Sequence, residues 1–532
     1  MYSLLILFAV IIFACIFLNN ASSRLGIPVL FAFILLGIIF GNSGLMSITD
    51  DDASFVGDLC SVALVFIMFY GGFGTSWTKA RAVSLEAGLL STLGVVLTAG
   101  IVGLFCHYLL GWNWVEAFLL GSVLSSTDAA SVFFILRSKK LGLKNNTASL
   151  LEMESGSNDP MSNILTVLML SIMQGKATAG SSALLLAGQL GLGVIFGICF
   201  AVVAVFAVKR IKFVTSGFNS LFFIAVAMLS YALPSIIGGN GYLSAYIVGL
   251  VLGNQRFEDK KEMVHFFDGF TSLAQVLIFF SLGLLARPLS LGRSIVPALL
   301  IFFILVVIAR PVSVALLLSP FRRYKLREQA LVSFSGVRGA SSIVFAIVAT
   351  VGGQVMENDL FSVVFCVVLL SIALQGSLIP FISRKLGMID NSIDVMQTFS
   401  DFSETVDLQF SEILVRPDDL WCGKKVKDLG LPKDVLLCSI VHADGTRSIP
   451  VGNSVLNAGE VVIMCSRECD ASRKLHIHST QLSNDNKWVG SRIMDLPYSR
   501  GQILMIQRGE ETIIPNGNTV LHGDDIIYIN QD

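Results

Sequence analysis

Hydrophobic residues come in blocks along this chain. From Met1 to about Met388, apolar runs of roughly 20 residues, the length that crosses a bilayer, alternate with short polar breaks. The runs predict about thirteen transmembrane helices. The first covers 2–18, the fifth 114–137, the sixth 150–174, the twelfth 328–351 and the last 359–383. The segment from Leu4 to Leu18 has no basic n-region and no clear cleavage site, so it reads as a retained helix rather than a signal peptide. After Met388 the pattern changes. Residues 389–410 form a polar linker, and 411–532 carry short β-branched runs between turn residues, as a small soluble domain does.

Positive charge sorts the loops. One alternating set, together with the start of the tail, holds nineteen lysines and arginines, while the other holds only Lys176, Arg287 and Arg293. The positive-inside rule then places the N-terminus outside and the C-terminus in the cytoplasm. Across 532 residues the chain is 54% hydrophobic and 14% charged with a net charge of −1. Such a balance fits a lipid environment and gives no field for nucleic acid. The nine cysteines are scattered, and Cys465 and Cys469 lack the companions a zinc site needs.

The tail repeats itself. Trp421-Cys-Gly423 with Asp428-Leu429 returns as Trp488-Val-Gly490 with Asp495-Leu496, and Pro450-x-Gly452-Asn453 returns as Pro515-x-Gly517-Asn518. Two related β-rich modules follow, 411–486 and 487–532. Neither a Walker A sequence nor a GxGxxG is present, so the tail reads as regulatory, with His442, His476, His478 and His522 able to answer pH.

Chemistry is sought inside the membrane, where an ionisable side chain is costly and usually functional. The deep ones are Asp128, Glu154, Asp159, Arg310 and Arg338. Ser125-Ser126-Thr127-Asp128 interrupts the fifth span with groups that offer the backbone other partners, so the helix is expected to open there. In the sixth span Ser155 and Asp159 share a face, and Pro160 is expected to loosen the turn before it. Ser333 to Ser342, with Gly336 and Gly339, interrupts the twelfth span around Arg338. That arginine needs a partner, and Glu154 is the expected one; Arg310, beside Pro311, reads as packing. One interrupted span in each half is the pattern of an inverted-repeat transporter with a midplane site.

At these residues the sequence resembles the NhaP-type antiporters of the monovalent cation:proton antiporter-1 family. The motifs are Ser126-Thr-Asp128, Glu154-Ser-x-x-Asn-Asp159 and Val337-Arg-Gly-Ala340. The tail from about 411 is similar to a TrkA-C domain, 411–486, with its last part, 487–532, also like a transporter-associated β module, which points to the potassium/proton antiporter branch, also called cell volume regulation protein A. The resemblance implies an all-α polytopic membrane protein of NhaA-like antiporter fold, with inverted repeats and two broken crossing helices. It adds a small α/β cytoplasmic C-terminal domain, a homodimer, and a small-molecule or nucleotide regulator of the tail. By motif, Asp159 binds cation and proton, Ser155 is a ligand, Thr127 lends a carbonyl and Asp128 orients the site. Asn158 is structural, and Glu154 pairs with Arg338. One position departs from the family: Phe69-Tyr70-Gly71-Gly72 stands where many relatives have Phe-Glu-Gly-Gly.

One exchanging carboxylate, which can hold a proton or a cation but not both, predicts electroneutral one-for-one exchange of K⁺, or alternatively Na⁺, for H⁺. No resident cofactor or metal is expected; the cation on Asp159, Ser155 and Thr127 is cargo. A gated cation channel is a second reading, which the lack of a TVGYG-like filter disfavours. A membrane-embedded enzyme is a third, disfavoured because no zincin motif or nucleophile elbow is present.

Overall fold

The computed structural model describes Phe13 and residues 29–42, 50–128, 131–132, 136, 141–176, 179–210, 216–255, 257, 260–286, 288–351, 356–390 and 408–530. Within the last range, 418, 433–434, 443–445, 468–476, 484–485, 497–501, 510 and 514 are excepted. The first expected span, 2–18, and most of the linker lie outside the described residues. The chain divides into two compact units, Met1–Glu404 and Thr405–Asp532.

The first unit is helical. In chain order it has α1 (Val29–Asn42), α2 (Asp50–Gly74), α3 (Ser84–Leu110), α4 (Trp114–Leu124), α5 (Thr147–Met173), α6 (Ala179–Arg210) and α7 (Ser216–Ile236). Then follow α8 (Gly241–Gly253), α9 (Lys260–Leu285), α10 (288–318), α11 (Leu326–Phe334), α12 (Ala340–Val351) and α13 (Leu360–Lys385). Among the described residues, seven helices are long and apolar enough to cross a membrane, and four apolar helices are shorter. Two of the short ones, α4 and α12, stop or start at the polar interruptions. Helix α5 runs without interruption through Pro160, over the span expected at 150–174. A proline deletes one N–H and crowds one carbonyl, and a 27-residue helix packed on its neighbours absorbs that loss.

Two hydrophobic clusters organise the helices. The larger joins residues of α1 to α5 with residues of α8 to α13. The smaller centres on Phe69, Phe73, Phe223 and Phe267, from α2, α7 and α9. Tyr70, at the departing motif position, stacks on Phe267 with ring centroids 6.2 Å apart. Helices α2 and α8 meet through small residues: a Cβ on Gly249 or Gly253 would strike the carbonyls of Phe69 and Phe73. Close backbone approach of this kind substitutes for hydrophobic driving force inside lipid.

The second unit is strand-based. It holds β1 (Leu408–Leu414), β2 (Val435–Val441), β3 (Arg447–Ser448) and β4 (Val461–Arg467) in the order β1-β4-β2-β3. Next come β5 (Ile477–Gln481), β6 (Gln502–Arg508), β7 (Glu511–Ile513) and β8 (Ile526–Asn530) in the order β5-β8-β6-β7. The two antiparallel sheets share one topology, and each places a single 3₁₀ turn after its first strand, at Val426–Asp428 and Ile493–Asp495. Among the described residues no α-helix occurs in this unit, so the expected α/β domain is corrected to a β domain. Short β-branched runs separated by turns leave no stretch long enough for an amphipathic helix. Strand β1 also begins inside the expected linker, and β5 begins ten residues ahead of the boundary at 487.

Candidate functional site

Helix α4 ends at Leu124, and Ser125 to Asp128 continue without helix. The hydroxyls there are engaged locally and across the unit. Ser125 Oγ donates to Ser122 O (2.6 Å), and Ser126 Oγ donates to the Asp159 carboxylate. Helix α11 ends at Phe334, and a second non-helical stretch, Ser335 to Gly339, leads into α12. The two breaks touch: Asp128 N–H donates to Val337 O at 2.7 Å. The Asp128 carboxylate turns towards Ser131, whose hydroxyl donates at 2.6 Å, and occupies the space where a Cβ on residue 339 would lie. Glycine is required at 339 for that reason.

Helix α5 lays its polar face against the first break. Ser155 Oγ donates to Thr127 O and Asn158 Nδ2 donates to Thr127 Oγ1, both at 2.5 Å. Asp159 is 3% exposed. It faces Ser126 from the first break and the hydroxyl of Ser341 from the start of α12. A carboxylate, two serine hydroxyls, a backbone carbonyl and a further hydroxyl on Ser341 therefore converge where two helices stop. All are hard oxygen donors, the chemistry that suits an alkali cation.

The arginines are arranged differently from expectation. Arg338, fully buried, sends Nη1 to Ser125 O (2.8 Å) and Ser126 O (2.6 Å). The last carbonyls of α4 have no intrahelical partners and carry the negative end of its dipole, so a guanidinium is drawn to them. Glu154 pairs instead with Arg310, and both are almost completely buried. Arg310 follows a π-helical turn, Leu305–Ala309, and lies against Gly336. The expected Glu154–Arg338 pair is thus corrected to Glu154–Arg310. The residue first read as packing holds the acid, because Arg338 is already committed to helix-end carbonyls.

Of the residues singled out in the sequence, Asp159, Ser155, Thr127, Asp128 and Asn158 come together around the crossing. Ser126 and Ser341 join them without having been assigned roles, and Arg310, read as packing, joins them as the partner of Glu154. Ser126 and Ser341 lay within the polar interruptions, so composition marked the region but not the contact. Of the four histidines in the tail, His476 lies outside the described residues. His442 bonds Glu460 (2.7 Å) and Ser448 (2.8 Å) through its two ring nitrogens.

The chain matches the family described as sodium/hydrogen exchanger, transmembrane, over residues 8–385, and the TrkA-C domain over 480–529. It is 30% identical over 453 residues to a K⁺/H⁺ antiporter NhaP of Alkalimonas amylolytica, covering 84% of this chain and 78% of the relative. The K⁺/H⁺ antiporter NhaP2 of Shewanella baltica is also 30% identical, with 85% of this chain and 79% of that one covered. Among solved structures, a sodium proton antiporter from Methanocaldococcus jannaschii superposes with a TM-score of 0.63 at 22% identity. That match spans 72% of this chain and 99% of the other, and it likens the fold of the helical unit.

Proposed function

Because the chain belongs to the sodium/hydrogen exchanger family of cation/proton antiporters, we propose that it exchanges K⁺ for H⁺ one for one at Asp159. The observation that carries this reading is the placement of one buried carboxylate where two interrupted helices hydrogen-bond to each other. Ser155, Ser126 and the Thr127 carbonyl supply further cation ligands; Asp128 orients the first break, and Asn158 and the Glu154–Arg310 pair support it. The names of the relatives favour K⁺, with Na⁺ the alternative.

Charge counting supports electroneutrality. The crossing brings Arg310 and Arg338 together with Glu154, Asp128 and Asp159. With the other four ionised, the cluster is neutral when Asp159 carries either a proton or a cation, and negative only when empty. Both loaded forms therefore cross the apolar interior at similar cost, while the empty form is penalised. The helical unit spans the membrane about thirteen times, with inverted repeats, and works as a homodimer in a bacterial inner membrane, its C-terminus cytoplasmic. π-helical turns at Leu90–Gly94 in α3 and Leu305–Ala309 in α10 favour the repeat. So does the contact four residues beyond each turn, where Thr98 Oγ1 meets Ser313 Oγ at 3.2 Å across 215 residues. The strand-based unit regulates exchange through a small ligand or pH, with modules 411–486 and 487–532. Proteoliposomes holding a pH dye test the cargo and the stoichiometry. K⁺ is expected to move protons at lower concentration than Na⁺, with no effect of imposed voltage; a steep voltage dependence contradicts one-for-one exchange.

A further inference from the structure

Ser371 and Gln375 lie on a π-helical stretch of α13, Ser371–Gly376, and both are buried. The Ser371 hydroxyl donates to Gln375 Oε1 (2.8 Å) and accepts from the backbone N–H of Arg338 (2.9 Å). Gln375 Nε2 donates to Phe334 O (2.5 Å), the carbonyl of the last residue in α11. The pair holds the second break from both ends, one residue fixing where α11 stops and the other where the chain turns towards α12. Ser155 and Asp159, with the same four-residue spacing, hold the middle of the first break, through Thr127 O and Ser126 Oγ. One bracket carries a carboxylate and the other a carboxamide.

We propose that Ser371 and Gln375 are the uncharged counterpart of Ser155 and Asp159, positioning residues that set the geometry of cation binding and leave one exchanging acid at the crossing. The inference rests on Asp159 as the exchanging group. Chemistry separates the two brackets: an amide N–H can satisfy a helix-end carbonyl, whereas an ionised carboxylate would face it with like polarity. A second carboxylate here would also raise the proton affinity of the first and admit a second proton to the cycle. Position is transmitted through a short path. Ser371 holds Arg338 N, the Arg338 guanidinium holds Ser125 O and Ser126 O, and Val337 O holds Asp128 N. Movement of the second break therefore reaches the ligands of the first.

Exchange rates in proteoliposomes, measured against K⁺ concentration and pH, test the proposal. Gln375→Leu, which leaves the Phe334 carbonyl without its donor, is expected to raise the KM for K⁺ about tenfold with a smaller change in kcat. A residue serving only the fold would lower the amount of active protein and leave KM alone. Gln375→Glu is expected to work at acidic pH, where its O–H replaces the amide donor, and to lose exchange at alkaline pH; the deficit of Gln375→Leu has no such slope. Ser371→Ala should raise KM, and Ser371→Thr should restore it; this pair decides the matter if the Gln375 variants fail to accumulate. Wild-type KM in Gln375→Leu and in Ser371→Ala, or a wild-type pH profile in Gln375→Glu, overturns the proposal. An Asp159→Asn control separates the two readings: exchange by that variant removes Asp159 as the exchanging acid, while the KM ratios still judge the bracket.

Discussion

Glu154 has two buried arginines within its neighbourhood, and the pairing decides what each one does. Arg310 neutralises it directly, and Arg338 is spent on the carbonyl end of α4. Removing the carboxylate leaves a guanidinium buried without its counter-charge, so Glu154→Gln is expected to cost about 3–5 kcal/mol in the helical unit. A double-mutant cycle on thermal unfolding in detergent should give a large coupling between Glu154→Gln and Arg310→Gln, and a much smaller one between Glu154→Gln and Arg338→Gln. The reverse order would reinstate the pairing read from the sequence. The acids themselves were legible, because a carboxylate in an apolar run stands out against its surroundings. Their partners were not. Which arginine meets Glu154 depends on the π-helical turn before Arg310, which rotates that side chain, and a five-residue apolar stretch, Leu305–Ala309, gives no sign of the extra residue per turn.

Among the elements, the two breaks and the continuous helix between them were readable. Serines and glycines in the middle of apolar runs mark α4 and α12 as half-helices, since their side chains or their lack of them weaken the backbone ladder. Pro160 takes one donor from α5, and there neighbours on both sides hold the helix together, with Asn240 Nδ2 donating to Pro160 O at 3.1 Å. The crossing depends on one small residue. At Gly339 a methyl group would displace the Asp128 carboxylate, and with it the backbone bond from Asp128 to Val337. Gly339→Ala is expected to lower the exchange rate at least tenfold by the loss of about 1.4 kcal/mol of ordering at the site. Gly269→Ala, in open space on α9, should leave it unchanged. Equal rates in the two variants would show that the contact at 339 has no consequence for transport.

Over the whole molecule, an ion-exchanging helical unit is joined to a duplicated β unit whose two copies differ in one informative way. Buried Asp525 accepts two bonds from Arg508, both 2.8 Å, while Glu460, at the corresponding place, takes His442. The Arg508 guanidinium, against the opposing pull of burial, holds Asp525 below the usual carboxylate range. Burial pushes Glu460 upward, but the Asn457 backbone N–H and His442 outweigh it, and Glu460 too is held low. Depressed carboxylates stabilise above their unfolded pKa, so both sheets should loosen as pH falls below the ordinary carboxylate range. Hydrogen exchange on the full chain, corrected for chemical rates, should show β4 and β8 both losing protection as pH falls below about 4, and Glu460→Gln and Asp525→Asn should each remove that pH dependence in their own sheet. Protection of β4 and β8 that stays constant through the carboxylate range would contradict that role for the two acids. The duplication was legible as an echo of Trp, Gly, Asp and Asn at 65–67 residues, but its sheet topology was not, because short strands of this kind fix their order only through long-range pairing. The most direct test of the whole account is K⁺-driven proton flux in proteoliposomes carrying Asp159→Asn. Flux should vanish while the protein stays folded, and a variant that exchanges at the wild-type rate would contradict the assignment of Asp159.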